Sequence, residues 1–173
     1  QGSITNCTVS SVEPGKKGTP GELRGDFDLT RDLGLLYANT ECGIFGVLPE
    51  ENRPEAVGEA IPVARRTEVR TGKAVILANC RGNEVCAYEI EIEKLYGGSA
   101  PTRNLLLRVT DPALIALTGG IVQGMSGSPI VQDGKLVGAV THVLLDDPQR
   151  GYGILAENML SASGMTAQSA ASA

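Results

Sequence analysis

Apolar and polar residues alternate along residues 85–92, where glutamates separate Tyr88, Ile90 and Ile92. This period of two predicts a strand with one buried and one exposed face. A turn-like stretch at residues 81–84 joins it to an apolar run at residues 74–78. The pattern therefore predicts a β-hairpin over residues 74–92.

Other short apolar runs, ended by glycine or proline, predict further strands. They lie at residues 4–12, 42–48, 63–69, 105–109 and 130–144, the last interrupted by the tight-turn pair Asp133-Gly134. We expect residues 42–48 to be a buried strand that Pro49 ends. The polar stretch 50–59 predicts an exposed loop and is the best candidate for a boundary between two halves.

Two short helices are predicted among these strands. Asp111 is a capping acid, Pro112 follows at the first helical position, and Gly119 lies beyond the end of an apolar run. A second helix is predicted to begin at Glu157. The Ser/Ala-rich residues from Ser161 onward are expected to be frayed. Many short strands separated by turns predict an all-β barrel or sandwich.

Composition supports a β protein and excludes several classes of function. Glycine accounts for 22 of 173 residues, and Val, Ile and Thr, which favour pleated surfaces, together number 36. Only six residues are aromatic, two Phe and four Tyr, which argues against a stacking platform for nucleic acid. The net charge of −5 argues against binding of a nucleic-acid backbone. No apolar run approaches the roughly 20 residues that span a bilayer. The first residues also lack a signal peptide, so an exported form would be a mature or trimmed product.

The four cysteines and the single histidine make a metal centre improbable, because they lack the paired spacing of zinc ligands. Cys80 and Cys86 flank the predicted turn of the hairpin. They are expected within bonding reach of each other. A disulfide and two inert buried thiols fit this placement equally well.

Residues 124–129 carry the clearest chemical signal, a Gly-x-Ser-Gly-x-Pro turn centred on Ser126. A serine between small residues on a tight turn exposes its hydroxyl. The amides of Gly124 and Ser126 could then hold the oxyanion of a tetrahedral intermediate. Taken alone, the motif is equally compatible with a simple turn between two strands, and Ser128 is expected only to support the turn.

The flanking sequence resembles the nucleophile region of trypsin-like serine peptidases, and most closely that of the SpoIVB peptidase family of endospore-forming bacteria. The similarity is specific over residues 119–130 and 138–143 and continues into 147–153 and 157–160. Weaker similarity at 18–22 and 42–46 extends it over most of residues 3–164.

This resemblance implies an all-β, trypsin-like double β-barrel with short helices and an incomplete first barrel. Residues 1–58 would be the remainder of the first barrel, 59–164 the second barrel with the nucleophile, and 165–173 a disordered tail. Ser126 would be the nucleophile. The strand containing Thr141, His142 and Val143 would pair with the substrate backbone.

The chain departs from the family pattern at the general base. The family uses an upstream histidine in a Gly-His motif, whereas the only histidine here is His142, on the substrate side of the site. Two interpretations follow: the base is encoded before Gln1, which we favour, or the protein is an inactive relative. A hairpin could bring His142 itself near Ser126, although a role in lining the cleft fits better.

Asp111 matches the acid that the family is thought to use to orient its base. Capping of the helix is an equally good explanation of this residue. Asp26 and Asp28 are fallback acids on a polar stretch that has the character of a solvated loop.

The implied function is a serine endopeptidase that cleaves protein substrates in a sporulation signalling pathway, with possible self-processing. The resemblance places it outside the cytoplasmic membrane, in the intermembrane space of the developing spore. We expect a protein or peptide substrate and no cofactor, metal or nucleic acid. The alternative is a catalytically inactive scaffold that holds a peptide by strand addition.

Overall fold

The computed structural model describes residues 2–55, 58–97 and 100–164. Within these residues the chain forms strands and two short α-helices. In chain order they are β1 (Gly2–Ile4), β2 (Cys7–Glu13), β3 (Glu22–Phe27), β4 (Gly34–Thr40), β5 (Gly43–Val47), β6 (Gly72–Arg81), β7 (Glu84–Leu95), β8 (Leu105–Val109), α1 (Pro112–Thr118), β9 (Pro129–Gln132), β10 (Lys135–Leu144), β11 (Asp147–Leu155) and α2 (Ala156–Ala162).

The last six strands close into an antiparallel barrel in the order β10-β11-β8-β7-β6-β9. Alternate side chains of each strand point inward and form an aliphatic core. Its fully buried members include Ile76, Ile92, Leu105, Leu107, Ile130, Val137 and Val140. Burial of such a side chain stabilises the fold by about 1.5–3 kcal/mol. The barrel is therefore the rigid support on which the Ser126 turn is built.

The first five strands form two small open sheets, β1-β4-β5 and β2-β3. They contact the barrel through main-chain hydrogen bonds such as Leu23 N to Gln123 O, at 2.8 Å. One closed barrel and an open first half confirm the fold predicted from the sequence. The domain limits of 1–58 and 59–164 stay predictions, and the tail at 165–173 lies outside the described residues.

The hairpins and the first helix form where the sequence predicts them. Asp133 and Gly134 both have positive φ, 50° and 73°, as the tight turn between β9 and β10 requires. Asp111 caps α1, and Gly119 ends it in the left-handed region at φ 74°. The α1 helix leads directly into the segment that carries Ser126.

Three predicted strands differ from the structure. The 4–12 stretch divides into β1 and β2, because residues 5 and 6 leave the sheet. The strand at 42–48 exists as β5 but is not buried, since Ile44 is 61% exposed on an open sheet. Between residues 63 and 69 a 3-10 turn, Arg66–Glu68, replaces the strand, and a similar turn, Glu50–Asn52, lies in the predicted loop.

All four cysteines are free thiols, so the disulfide alternative for Cys80 and Cys86 is wrong. The alternative of two buried thiols is correct for Cys80 only, because Cys86 is half-buried. Cys86 pairs with Ala78 in the hairpin, and Cys80 lies two residues further along β6. Diagonal neighbours of this kind have α-carbons about 7–8 Å apart, beyond the span that a disulfide bridges without backbone movement.

Candidate active site

Ser126 lies on a tight turn just before β9. The buried side chains of Val122 and Met125 fix the turn to the core, and Met125 is only 1% exposed. The amide of Met125 donates to Val122 O at 3.2 Å, and the amide of Ser128 donates to Met125 O at 3.0 Å. Ser126 itself is exposed. The turn therefore holds the Ser126 hydroxyl at the surface of a rigid scaffold.

The main-chain amides of the turn divide into two groups. The amides of Met125, Gly127 and Ser128 donate hydrogen bonds within the fold, that of Gly127 to Val140 O at 2.8 Å. The amides of Gly124 and Ser126 donate to no acceptor in the described parts of the chain. These two are the amides predicted from the sequence to form the oxyanion hole, and both are available to a ligand.

Gly124 is required by two features of the turn. Its φ of 97° lies in the left-handed region that favours glycine, and a Cβ at this position would approach Leu23 Cβ to 3.0 Å. Leu23 belongs to β3, so the open first half of the molecule contacts the turn closely. Any larger residue at position 124 would displace one of the two available amides.

The Ser126 hydroxyl donates a hydrogen bond to the main-chain oxygen of Thr141, at 3.1 Å. Thr141 lies at a bulge in β10, where the pairing with β11 passes from Val140↔Gly153 to His142↔Tyr152. Bulges re-aim groups beside functional sites. The Thr141 hydroxyl in turn donates to Tyr152 O at 3.1 Å and Thr102 O at 3.2 Å, which fixes the bulge.

His142 follows Thr141, and its exposed ring forms no hydrogen bond with any described residue, Ser126 included. Partial removal of the imidazole from water, and then the neighbouring Arg103 cation, lower its pKa below the ordinary value. Val143 is half-buried and pairs with Gly151. The structure thus brings Ser126, Gly124 and the strand with Thr141, His142 and Val143 together at one surface.

Asp111 is not in hydrogen-bond contact with these residues. Its Oδ1 accepts from the amides of Ala113 and Leu114 at 2.9 and 3.1 Å, and its Oδ2 accepts from the amide of Glu89 at 3.1 Å. Burial opposes ionisation, but the three amides outweigh it and lower the pKa of the carboxyl group. This geometry is that of a helix cap. The role of Asp111 as an orienting acid stays a prediction.

An apolar cavity of about 420 Å³ opens beside the turn, on the Gly127 side. It lies between the open β4-β5 sheet, the β9-β10 hairpin and α2. Its apolar side chains are Tyr37, Ile44, Phe45, Val63, Pro129, Leu136, Met159 and Leu160.

The fallback acids belong to the open first half. Asp28 Oδ1 accepts from the amide and hydroxyl of Thr30, a local turn, and the pairing of Thr8 with Asp26 holds the latter on β3. Within the described residues no three His, Cys, Asp or Glu side chains are grouped as a metal site would need. In the same part of the chain no helix is long and apolar enough to cross a membrane.

Sequence reasoning missed Thr102 and Tyr152, whose main-chain oxygens hold the Thr141 bulge. Thr102 lies in the loop before β8, and Tyr152 lies on β11, a glycine-containing strand without alternation. No local signal marks either residue, because their importance arises from the pairing of distant strands.

The fold is shared with solved proteases at low sequence identity. The Rv3671c protease of M. tuberculosis in its active form superposes with a TM-score of 0.53 at 19% identity, covering 85% of this chain and 64% of that one. Its inactive form gives a TM-score of 0.51 at 19% identity, with coverage of 79% and 70%. No curated protein matches the chain.

The closed six-stranded barrel, which presents Ser126 on a glycine-flanked turn, has the fold of trypsin-like proteases. The model of the SpoIVB peptidase S55 family matches residues 1–160. The chain therefore belongs to the SpoIVB peptidase family, as the sequence resemblance indicated.

Proposed function

We propose that the chain carries the nucleophile and the substrate cleft of a serine endopeptidase. The observation that carries this proposal is that an exposed Ser126 hydroxyl lies on the same turn as two main-chain amides, those of Gly124 and Ser126, that donate no hydrogen bond within the described residues. A nucleophile and two convergent donors are what acyl transfer needs. Membership of the SpoIVB peptidase family supports the same reaction.

In this mechanism the Ser126 oxygen attacks the carbonyl carbon of the scissile peptide bond. The amides of Gly124 and Ser126 hold the developing oxyanion, and the substrate backbone pairs with Thr141, His142 and Val143. The hydrogen bond to Thr141 O holds the Ser126 hydroxyl in the resting state. It must break before the proton passes to a base.

We assign the base to a histidine outside residues 1–173. A serine hydroxyl at its free pKa is a weak nucleophile and needs a base within hydrogen-bond reach. His142 is the only histidine of the chain, and it does not accept the proton of Ser126. Residues 1–173 alone would therefore be almost inactive.

The family also supports a biological setting, namely protein cleavage in a signalling pathway of spore formation. In that setting the protein would be exported beyond the cytoplasmic membrane, into the space between the membranes of the developing spore. Its substrates would be a few proteins, and its own chain is a further candidate for cleavage.

The test is hydrolysis of a quenched fluorescent peptide library by the intact protein. We expect Ser126→Ala to abolish hydrolysis and Ser128→Ala to retain it, because Ser128 contributes main-chain hydrogen bonds to the turn. Equal hydrolysis by the wild-type protein and Ser126→Ala would reject the assignment. Peptide binding without any cleavage would identify the inactive scaffold instead.

A further inference from the structure

A row of side chains crosses the outside of the barrel and ends at the candidate site. Lys94 of β7 pairs with Leu106 of β8, Leu106 pairs with Tyr152 of β11, and Tyr152 pairs with His142 of β10. Paired residues on neighbouring antiparallel strands point to the same face. The row therefore continues across four strands to the residue beside Thr141.

Two cations and two aromatic rings lie on this row. The Arg103 guanidinium lies 5.3 Å from the centre of the Tyr152 ring, and the Lys94 ammonium lies 4.9 Å from that of Tyr96. The two rings contact each other at 6.2 Å between centroids. We call Lys94, Tyr96, Arg103, His142 and Tyr152 the basic strip.

The charge of the basic strip is not neutralised by the protein. Arg108 and Arg150, on the neighbouring row, both pair with Glu93. By contrast, neither Arg103 nor Lys94 forms an ion pair within the described residues, although the chain carries a net charge of −5. Partial burial and then the Arg103 cation lower the pKa of His142, in keeping with a position of Arg103 close to the cleft.

The strip is attached to the nucleophile through Thr141. The Thr141 main-chain oxygen accepts from Ser126, and its hydroxyl donates to the main-chain oxygens of Tyr152 and Thr102. Arg103 is the next residue after Thr102, so its main chain has a fixed position relative to the site. A peptide paired with the free edge of β10 from Thr141 towards Val143 would lie one strand spacing, about 4.8 Å, from His142, with Tyr152 on the next strand beyond.

We propose that the basic strip selects substrates with an acidic side chain two or four residues before the scissile bond. This inference rests on the proposed peptidase function. The residue whose carbonyl is attacked lies beside Thr141, so the preceding residue lies beside His142. Successive side chains of a strand alternate between its faces, and therefore residues two and four before the bond share the face of His142. Of the two cations, Arg103 is the one whose guanidinium contacts Tyr152, the residue paired with His142, so we assign the contact with the carboxylate to Arg103.

The experiment uses peptides that differ only by Asp against Asn, or Glu against Gln, at each of the four positions before the scissile bond. Their cleavage by the intact protein is measured as kcat/KM, and their binding is measured with Ser126→Ala. We expect an acid preference of about tenfold at positions two or four, the size of one charged hydrogen bond. Positions one and three should show none.

Three variants of Arg103 test whether this residue causes the acid preference. Arg103→Gln should remove the acid preference, and Arg103→Glu should reverse it in favour of lysine. Arg103→Lys keeps the positive charge and should retain part of the acid preference. Arg81→Gln is the matched control, because Arg81 is an exposed arginine at the far end of β6 and should leave the preference unchanged.

The two readouts separate this inference from the proposed function. Cleavage without an acid preference, or with one that survives Arg103→Gln, overturns the inference and leaves the peptidase function intact. Absence of cleavage with Arg103-dependent binding of acidic peptides supports recognition by the strip and rejects the peptidase function. Neither cleavage nor discriminating binding rejects both.

Discussion

The hydroxyl of Ser126 donates a hydrogen bond to the main-chain oxygen of Thr141, 3.1 Å away, and not to the imidazole of the neighbouring His142. This relationship joins the serine turn to the strand expected to pair with the substrate. It also separates the serine from the only histidine of the chain. In the proposed mechanism, Ser126 is therefore the nucleophile, and the base that activates it is a histidine other than His142.

Asp111 should act mainly on stability. Asp111→Asn keeps an acceptor for the helix amides but places a donor opposite the Glu89 amide, so we expect a loss of about 1 kcal/mol in the free energy of unfolding. Asp111→Ala loses all three hydrogen bonds and should cost about 1–3 kcal/mol. Urea unfolding measures both values. A loss of activity of several orders of magnitude in Asp111→Asn would instead make Asp111 the orienting acid.

The same carboxylate should contribute a pH-dependent part of the stability. Its pKa is lower in the folded protein than the ordinary 3.8. The contribution is therefore complete above the unfolded pKa and is lost as the pH falls through the folded one. The stability difference between wild type and Asp111→Asn should shrink as urea unfolding is repeated from pH 7 down to acid. A difference that stays constant with pH would contradict the stabilisation of the Asp111 carboxylate by the three amides.

His142 offers a direct measurement, because its imidazole signal in a proton NMR titration is identified by its loss in His142→Ala. Burial and the Arg103 cation both lower its pKa. Arg103→Gln should therefore raise the pKa of His142, and the Arg81→Gln control should leave it unchanged. An unchanged pKa in Arg103→Gln would show that the guanidinium does not reach the cleft.

Much of the barrel follows from local signals in the sequence. The hairpin turn at Asp133-Gly134, strand β8 and the capped helix α1 lie where their residues predict them. Strand β11 was not predicted, because Gly151 and Gly153 interrupt its apolar pattern. A Cβ at Gly151 would collide with His142 O, so close contact between strands, not propensity, determines these glycines.

The candidate site also has features that local sequence predicts and others that it does not. The exposed serine and the two amides follow from the spacing of small residues along the turn. The contact between Ser126 and Thr141 could not be predicted, because it depends on a bulge in the pairing of β10 with β11. The exposure of Ile44 was also missed, since the open first half does not cover that strand as a closed barrel would.

Gly138 should be the least tolerant glycine of the barrel. A Cβ at this position would collide with the main-chain oxygen of Ile154 on β11. Gly138→Ala should therefore destabilise the protein by about 1–3 kcal/mol and lower Tm by several degrees. Gly97→Ala is the control, because open space surrounds Gly97. Equal thermal melts of the two variants would contradict the close packing of β10 against β11.

The thiols should differ strongly in reactivity. Cys7 is exposed, whereas Cys80 is buried, and its burial raises the pKa of the Cys80 thiol. The thiolate is the reactive form, so Cys80 should react with a disulfide reagent at pH 8 at least about tenfold more slowly than Cys7. Unfolding should remove the difference. Peptide mapping of the labelled protein identifies each site, and fast labelling of native Cys80 would contradict its burial.

The most direct test of the central claim is labelling with a fluorophosphonate, located by mass spectrometry of the digested protein. We predict a single adduct on Ser126 of the intact protein, absent in Ser126→Ala and retained within about tenfold in His142→Ala, because His142 lines the cleft and is not the base. Residues 1–173 alone should label only slowly. If residues 1–173 label rapidly and His142→Ala abolishes this labelling, His142 is the base and the account is contradicted. If the intact protein does not label at Ser126, the account is contradicted altogether.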